Sequence, residues 1–113
     1  MGLTESEFQR LVIDVARLRG WVVYHVPDSR RVTARGCPDL IMIHERQSRL
    51  IFAELKTETG KLSDHQKKWM RVLVACGVET YLWRPSDMAA IKDILGSPCH
   101  PPTSDRVSPG ATV

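Results

Sequence analysis

The fold of this chain is decided by residues 36–56, which read GCPDLIMIHERQSRLIFAELK. Two short apolar runs, Leu40 to Ile43 and Leu50 to Leu55, are separated by a polar stretch of hairpin length. Short runs rich in β-branched and aromatic residues are typical of strands, and a polar link of this length favours a hairpin. We therefore predict two neighbouring antiparallel strands here.

The second of these strands carries charged side chains at its end. Because side chains alternate along a strand, Glu54 and Lys56 share a face with Phe52. Charges beside a strongly apolar strand are costly to bury unless they are paired or bind a metal. Asp39 follows Pro38 at the start of the first strand, and antiparallel pairing brings that start close to Glu54. Two carboxylates are therefore expected to meet.

A pair of carboxylates at this position predicts a metal site. Two full charges about 4 Å apart repel by roughly 4 kcal/mol at an effective dielectric constant near 20, which raises a pKa or recruits a cation. Carboxylate oxygens suit Mg²⁺ or Mn²⁺, and the chain has no Cys/His set that favours zinc. Such a cation activates water, while Lys56 can stabilise the negative charge that develops on a phosphoryl group. The predicted reaction is hydrolysis of a phosphodiester bond.

The flanking sequence supplies helices and two further strands. Apolar residues recur at helical spacing before and after the predicted hairpin, and aromatic or β-branched runs follow two of these helices. The predicted elements are helices over residues 4–19, 63–76 and 85–95, and strands over residues 21–26 and 79–83. The order predicts an α/β domain with a mixed sheet of about four strands, whose apolar strands are covered on both faces.

Length and composition limit the protein to one soluble domain. The 113 residues suffice for one hydrophobic core, which we place in residues 1–96. Residues 97–113 hold four prolines and little apolar content, so we predict a flexible tail. The N-terminus lacks a secretory pattern and no apolar run is long enough for a bilayer, so we expect a cytoplasmic protein. Three cysteines without ligand spacing are expected to be free thiols.

Positive charge is concentrated in two places. The formal net charge is +3 with a pI near 9.0, which is compatible with a polyanionic partner. A basic loop precedes the first carboxylate, and lysines surround the start of the second long helix, whose dipole favours phosphate. Both groups can be solvated surface or DNA-binding residues, the latter being Arg30, Arg31, Arg35, Lys61 and Lys67.

The charged motif resembles a known nuclease family. Gly36-Cys37-Pro38-Asp39, fourteen residues and then Glu54-Leu55-Lys56 are similar to the PD-(D/E)xK nuclease core. Residues 4–95, with Glu7 and Gln66, further resemble its VRR-NUC branch, whose standalone phage and bacterial members are Holliday junction resolvase-like. The resemblance implies a restriction-endonuclease-like fold. It also implies that Asp39, Glu54, the Leu55 carbonyl and Glu7 bind Mg²⁺ or Mn²⁺, and that Lys56 and Gln66 position water or phosphate.

Two of these roles have structural alternatives. Thr4 and Glu7 form a T-x-x-E capping box, so Glu7 can serve the helix N-terminus instead of a metal. Ser63 and Gln66 form the analogous box, although Gln66 shares the apolar side of its helix and should point inward. Lys56 can also be a solvated lysine at a strand end.

The function predicted from these residues is a structure-selective DNA endonuclease. One domain of this size holds one site, so cutting both strands of a branched substrate calls for a homodimer. The resemblance favours a four-way junction, and thus a role in DNA repair. The alternatives are a DNA-binding module that retains the fold without cutting, and a restriction-type endonuclease, for which the chain leaves little room for a base-reading element.

Overall fold

The computed structural model describes residues 2–27 and 35–96 of the chain. Every predicted helix and strand is present, and most of their ends shift by only one residue. The exception is the last helix, which opens with a 3₁₀ turn over Pro85–Asp87. The elements are α1 (Glu5–Leu18), β1 (Val22–His25), β2 (Leu40–His44), β3 (Arg49–Leu55), α2 (Asp64–Ala75), β4 (Glu79–Trp83) and α3 (Met88–Gly96).

The four strands form one mixed sheet in the order β1-β2-β3-β4. The predicted hairpin is confirmed, because β2 and β3 pair antiparallel with Leu40 opposite Ala53. β1 adds antiparallel to β2, whereas β4 lies parallel to β3, with Leu55 opposite Trp83. A parallel neighbour needs a crossover connection, and α2 provides it. The α/β class and the mixed four-stranded sheet are therefore confirmed.

One face of the sheet packs against α1 and α3 and forms the core. Alternate residues of β2 and β3 point to this face, and the helices meet them with apolar side chains at helical spacing. The indole of Trp21 also donates a hydrogen bond to the Leu95 carbonyl at 2.8 Å. The fully buried side chains of this core include Phe8, Val12, Ala16, Leu40, Met42, Ile51, Ala53, Leu55, Ile91 and Leu95.

The prediction that both faces of the sheet are covered is wrong for the second face. α2 packs there, mainly against β4, and none of its residues is fully buried. The first three strands leave Val22, Tyr24, Ile43 and Leu50 exposed. The prediction failed because apolar side chains on a strand show only that the residues avoid water. Whether a helix covers them depends on where the helices pack, which the strand pattern does not show.

An ion pair that the sequence did not reveal joins β3 to β4, and its arginine also bonds to α3. The guanidinium of Arg49 donates two hydrogen bonds to the Glu79 carboxylate and one to the Ile94 carbonyl. Tyr81 donates to the same carboxylate, and these hydrogen bonds lower the pKa of Glu79 against the effect of burial. The residues are distant in sequence and become neighbours only through the parallel pairing of β3 and β4.

Several predictions fall on residues outside the described ranges. The predicted tail, residues 97–113, lies there with Cys99, and so do Arg30 and Arg31 of the basic loop. Within the described residues, Cys37 and Cys76 are free thiols, as predicted. None of the helices in these residues is both long enough and apolar enough to cross a membrane.

Candidate active site

The site is built where the start of β2 meets the end of β3. Leu40 pairs with Ala53, so the antiparallel register sets Asp39 opposite Glu54. Asp39 is held in place because its Oδ2 accepts a hydrogen bond from the Leu55 backbone N–H at 2.9 Å. The structure thus brings together the two carboxylates that the sequence placed on neighbouring strands.

Glu54 is a buried carboxyl group with incomplete hydrogen bonding. The residue is 1% exposed, and its Oε2 accepts from the side-chain amide of Gln66 at 3.0 Å. The ammonium of Lys56 lies 3.8 Å from the same oxygen and is itself largely buried. The other oxygen, Oε1, is buried and has no hydrogen-bond partner. A buried acceptor without a partner costs about 1–3 kcal/mol, so this oxygen is suited to a ligand that the chain itself does not supply.

The carboxyl pair has perturbed protonation. Burial first, and then the negative charge of Asp39, raise the pKa of Glu54 to about 8, while Lys56 acts in the opposite direction. At neutral pH the Glu54 carboxyl group therefore favours its protonated form, and perturbed carboxyl groups of this kind cluster at functional sites.

Gln66 performs both of the roles that the sequence left open. Its Oε1 accepts from the Ser63 backbone N–H at 2.9 Å, and its own N–H donates to Ser63 Oγ, which completes the capping box of α2. Its Nε2 meanwhile donates to Glu54. Because the amide oxygen is fixed by the cap, the amide nitrogen is oriented toward the carboxylate. The cap of α2 thus becomes part of the site.

Gly36 allows the loop before Asp39 to lie directly on the first turn of α2. Its φ is +98°, a conformation that side chains disfavour, and an added Cβ would lie 2.4 Å from the His65 carbonyl carbon. A side chain at this position would therefore separate the loop that carries Asp39 from the helix that carries Gln66. The glycine of the motif serves this close packing.

The structure places Glu7 in its capping box, and the metal-binding role that the resemblance implies for it stays a prediction. Glu7 is exposed, accepts from the Thr4 backbone N–H at 2.9 Å, and has a lowered pKa because of that hydrogen bond. The α1 carboxylate whose charge raises the pKa of Glu54 is Glu5 instead. Among the residues that the structure describes, no group of three or more Asp, Glu, His or Cys is placed to hold a metal. The two carboxylates that the structure brings together are therefore those of Asp39 and Glu54.

The carboxylates of Asp39 and Glu54 fit a hard divalent cation even without a third carboxylate. The evident donors are two carboxylates, one of them with a buried oxygen that lacks a partner. Such a cation commonly keeps several waters and takes only one or two carboxylates from the protein. The two carboxylates and the predicted contribution of the Leu55 carbonyl are sufficient for that mode of binding.

The predicted basic residues that can be located are at the surface. Arg35, just before the motif, is exposed, and so are Lys61 and Lys67 beside the N-terminus of α2. Arg35 precedes Gly36, whose loop packs on the first turn of α2. Whether they contact DNA stays a prediction.

Two features near the site were missed from the sequence. The thiol of Cys37 lies beside the acidic pair, since burial and then the charges of Glu54 and Asp39 raise its pKa. The loop after Lys56 is held by a residue distant in sequence, because the Arg84 guanidinium donates hydrogen bonds to the carbonyls of Thr57 and Gly60.

A second contact ties the same loop to the start of the 3₁₀ turn, where the Glu58 carboxylate accepts from the backbone N–H and hydroxyl of Ser86. The segment after β4 reads Arg-Pro-Ser-Asp. A polar, charged segment at the end of a strand parallel to β3 was the only available indication of this contact.

Comparisons with known proteins agree with this geometry. A family model described as the VRR-NUC domain matches residues 6–86. Among solved structures, the chain is similar to one named VRR_NUC domain at 24% identity, with a TM-score of 0.64, over 80% of this chain and 92% of that one. A second, named VRR_NUC domain protein, matches at 22% identity with a TM-score of 0.63, over 83% of this chain and 87% of that one.

A more distant structural similarity is to Archaeoglobus fulgidus Hjc, a Holliday junction resolvase from an archaeal hyperthermophile. The identity is 20% and the TM-score 0.50, over 69% of this chain and 66% of that one. No curated protein sequence matches the chain. At these identities the structural matches establish a shared fold.

Proposed function

The chain belongs to the VRR-NUC domain family, and on that premise we propose that it is a Mg²⁺- or Mn²⁺-dependent DNA endonuclease centred on Asp39, Glu54 and Lys56. The observation that carries the proposal is the buried Glu54 carboxyl group, which faces Asp39 and has one oxygen without a partner. A carboxyl pair of this kind is costly for a merely structural role. A cation site offsets that cost.

Each residue of the pair and its neighbours has a distinct task in the proposed reaction. Asp39, Glu54 and the Leu55 carbonyl would hold the cation, which when bound supplies an activated water and a polarised phosphoryl oxygen. Lys56 contributes positive charge toward the phosphate and stabilises the charge that grows on it during attack. Gln66 orients Glu54 and is itself oriented by Ser63. The oxygen of the attacking water bonds to phosphorus and its proton passes to solvent, while the bond from phosphorus to a sugar oxygen breaks. The products are a phosphate monoester and a sugar hydroxyl, which takes its proton from solvent.

The proposed substrate is branched DNA, cut by a homodimer in the cytoplasm. The fold shared with a Holliday junction resolvase supports a junction substrate. Since one chain of this length carries one site, symmetric cuts in two strands require two chains. Arg35, Lys61 and Lys67 would bind the phosphates, together with Arg30 and Arg31 of the preceding loop.

The test is cleavage of labelled four-way junction, nicked duplex and linear duplex with Mg²⁺, Mn²⁺ or EDTA. We expect paired cuts in the junction that need the metal, and a loss of about a hundredfold or more in rate for Lys56→Ala. Lys92→Ala, an exposed lysine on α3, is the matched control and should cut at the wild-type rate.

Other outcomes identify the alternatives. Salt-sensitive binding of all three DNAs without any cutting would assign the protein to the DNA-binding modules that retain the fold. Cutting of linear duplex into discrete fragments would assign it to the restriction-type enzymes. Wild-type rates for Glu54→Ala and Lys56→Ala would refute the proposed site.

A further inference from the structure

The chain folds back on Lys56 directly after β3. Residues 57–60, which we call the lysine turn, form a closed loop. The Gly60 backbone N–H donates to the hydroxyl of Thr57 at 3.1 Å and to the carbonyl of the same residue at 3.3 Å. The side chain of Lys56 is only 15% exposed, although a lysine at the end of a strand ordinarily extends its ammonium into water. The burial of this side chain therefore needs a structural cause near the end of β3.

Gly60 lies against the aliphatic chain of Lys56. A Cβ added at Gly60 would lie 3.4 Å from Cδ of Lys56 and 3.1 Å from Oγ1 of Thr57. These contacts are tighter than those that real Cβ atoms usually make, so a neighbour would have to shift by a few tenths of an ångström. The position of Gly60 thus limits where the lysine side chain can lie.

The backbone conformation of Gly60 does not account for a glycine at this position. Its φ lies outside the positive region that favours glycine, unlike the φ of Gly36. A glycine that the backbone does not require lowers stability, because it gives the unfolded chain more conformations. The reason for the glycine is therefore the space beside Lys56 and Thr57, which a side chain would fill.

The lysine turn is attached to the end of β4 on both sides of this space. One nitrogen of Arg84, Nη1, donates to the carbonyl of Thr57 at 2.5 Å and to that of Gly60 at 2.7 Å. The backbone N–H of Lys56 also donates to the Trp83 carbonyl at 3.0 Å. Because the backbone of the turn is held by these bonds, a side chain at Gly60 would press on its neighbours and would not displace the turn.

The middle of the lysine turn has a further attachment. The Glu58 carboxylate accepts hydrogen bonds from the backbone N–H and the hydroxyl of Ser86, at the start of the last helical segment. The turn is thus bonded to the segment after β3 at its two ends and at its centre. Such a turn is a rigid surface for the side chain that packs on it.

We infer that Gly60 is a positioning residue, whose missing side chain lets the lysine turn pack on Lys56 and keep its ammonium 3.8 Å from Oε2 of Glu54. The inference deepens the proposed function and rests on it, since the placement of the ammonium matters for the reaction proposed at this site. A lysine has a long, flexible side chain, and holding it in place before the reaction avoids an entropic cost. Misplacement of a reacting group by about 1 Å can cost a hundredfold in rate.

The test combines cleavage kinetics with urea unfolding for Gly60→Ala, on a DNA that the wild type cuts. We expect kcat to fall by about tenfold with little change in KM, because the lysine is displaced and the bound DNA is not. The urea midpoint should equal or exceed that of the wild type, since alanine restricts the unfolded chain. Gly2→Ala, where an added Cβ meets open space, is the matched control and should cut at the wild-type rate.

A double variant shows which neighbour of the added Cβ matters. Thr57→Ala/Gly60→Ala removes the contact with the hydroxyl and keeps the contact with Lys56, so it should cut as slowly as Gly60→Ala. A wild-type rate in the double variant, or in Gly60→Ala itself, would overturn the inference. A large fall in the urea midpoint of Gly60→Ala would also overturn it, because slow cutting would then follow from a damaged fold.

A measurement without DNA separates this inference from the proposed function. In NMR spectra of the metal-free protein, the side-chain signals of Lys56 should shift in Gly60→Ala, while those of the exposed Lys92 on α3 stay unchanged. Unchanged Lys56 signals would overturn the inference, whether or not the protein cuts DNA. A wild type that cuts no DNA, together with shifted Lys56 signals in the variant, would refute the proposed function alone.

Discussion

Glu54 is the residue at which stability and function conflict. Its carboxyl group is buried, faces Asp39 and leaves one oxygen without a partner, and burial raises its pKa to about 8. A protein selected for stability alone would place an apolar or amide side chain here. Retaining a carboxylate at this position is understandable if its charge is needed for binding a cation.

Replacing Glu54 by glutamine should stabilise the metal-free protein at neutral pH. The folded-state pKa is raised above the ordinary value of 4.5, so the native state holds the proton more tightly than the unfolded chain does. Wild-type stability therefore falls as pH rises from about 4.5 through about 8, and an amide, which cannot ionise, avoids this loss. We expect Glu54→Gln to gain about 1–3 kcal/mol at pH 8 in EDTA and little near pH 4.5.

Urea unfolding at several pH values measures this gain. Glu7→Gln is the control, because Glu7 is exposed, has a lowered pKa and keeps its cap as an amide. Mg²⁺ should raise the midpoint of the wild type and leave that of Glu54→Gln unchanged. A Glu54→Gln variant less stable than the wild type at pH 8 would contradict the argument.

At the scale of elements, the site depends on contacts that join segments distant in sequence. α2 contributes Gln66 because its capping box holds that side chain, and the Gly36 loop packs on the same turn. The end of β4 contributes Arg84, which donates to two carbonyls of the loop that follows Lys56. The position of the lysine is thus set by an element other than its own strand.

Loss of Arg84 should loosen the loop after Lys56 and slow cleavage. Arg84→Ala removes hydrogen bonds from a charged donor to Thr57 and Gly60, and misplacement of a reacting group is costly in rate. We expect a fall in kcat of about tenfold to a hundredfold, a small change in KM, and a loss of about 1–3 kcal/mol in stability.

Single-turnover cleavage and denaturant unfolding together check this expectation. Arg46→Ala removes an equal charge from the β2–β3 turn at the opposite end of the sheet, and it should behave as the wild type. Arg84→Lys, which keeps the charge and reaches fewer carbonyls, should fall between the two. An Arg84→Ala protein that loses stability and keeps its kcat would show that Arg84 supports the fold alone.

At the scale of the whole molecule, the two faces of the sheet differ in the described residues. α1 and α3 cover one face and form the core, whereas the other keeps exposed apolar side chains. With a net charge of only +3, attraction to DNA must come from local clusters and not from the total charge. The proposed homodimer would present two sites and two sets of basic residues to one substrate.

Dimer formation should change the pattern of products. On a plasmid with an extruded cruciform, a dimer can make its second cut before it leaves, because the second site is held at high effective concentration. We expect the wild type to yield linear product with little nicked intermediate at every time point. Gel analysis over time measures this, and accumulation of nicked plasmid ahead of linear product would contradict paired cutting by a dimer.

The sequence by itself determined the order of elements and the central pair of the site. Alternating and helical apolar patterns are local properties, so the helices, the hairpin and the mixed sheet were predicted with ends that shift by only one or a few residues. The hairpin also fixed the meeting of Asp39 with Glu54, since a short antiparallel connection allows few registers. The class of chemistry followed from these charges.

Only the tertiary structure decided which further residues join the pair and which surfaces stay uncovered. A capping-box motif does not show whether its side chain serves only the helix end or also a site. The structure shows Glu7 in the cap of α1, and it shows Gln66 donating a hydrogen bond to Glu54. Arg84 and Glu5 come near the site through packing of segments distant in sequence, which leaves no periodic pattern. The second face of the sheet was misjudged for the same reason, because an apolar pattern shows which side chains avoid water, and the packing of distant helices determines which of them are covered.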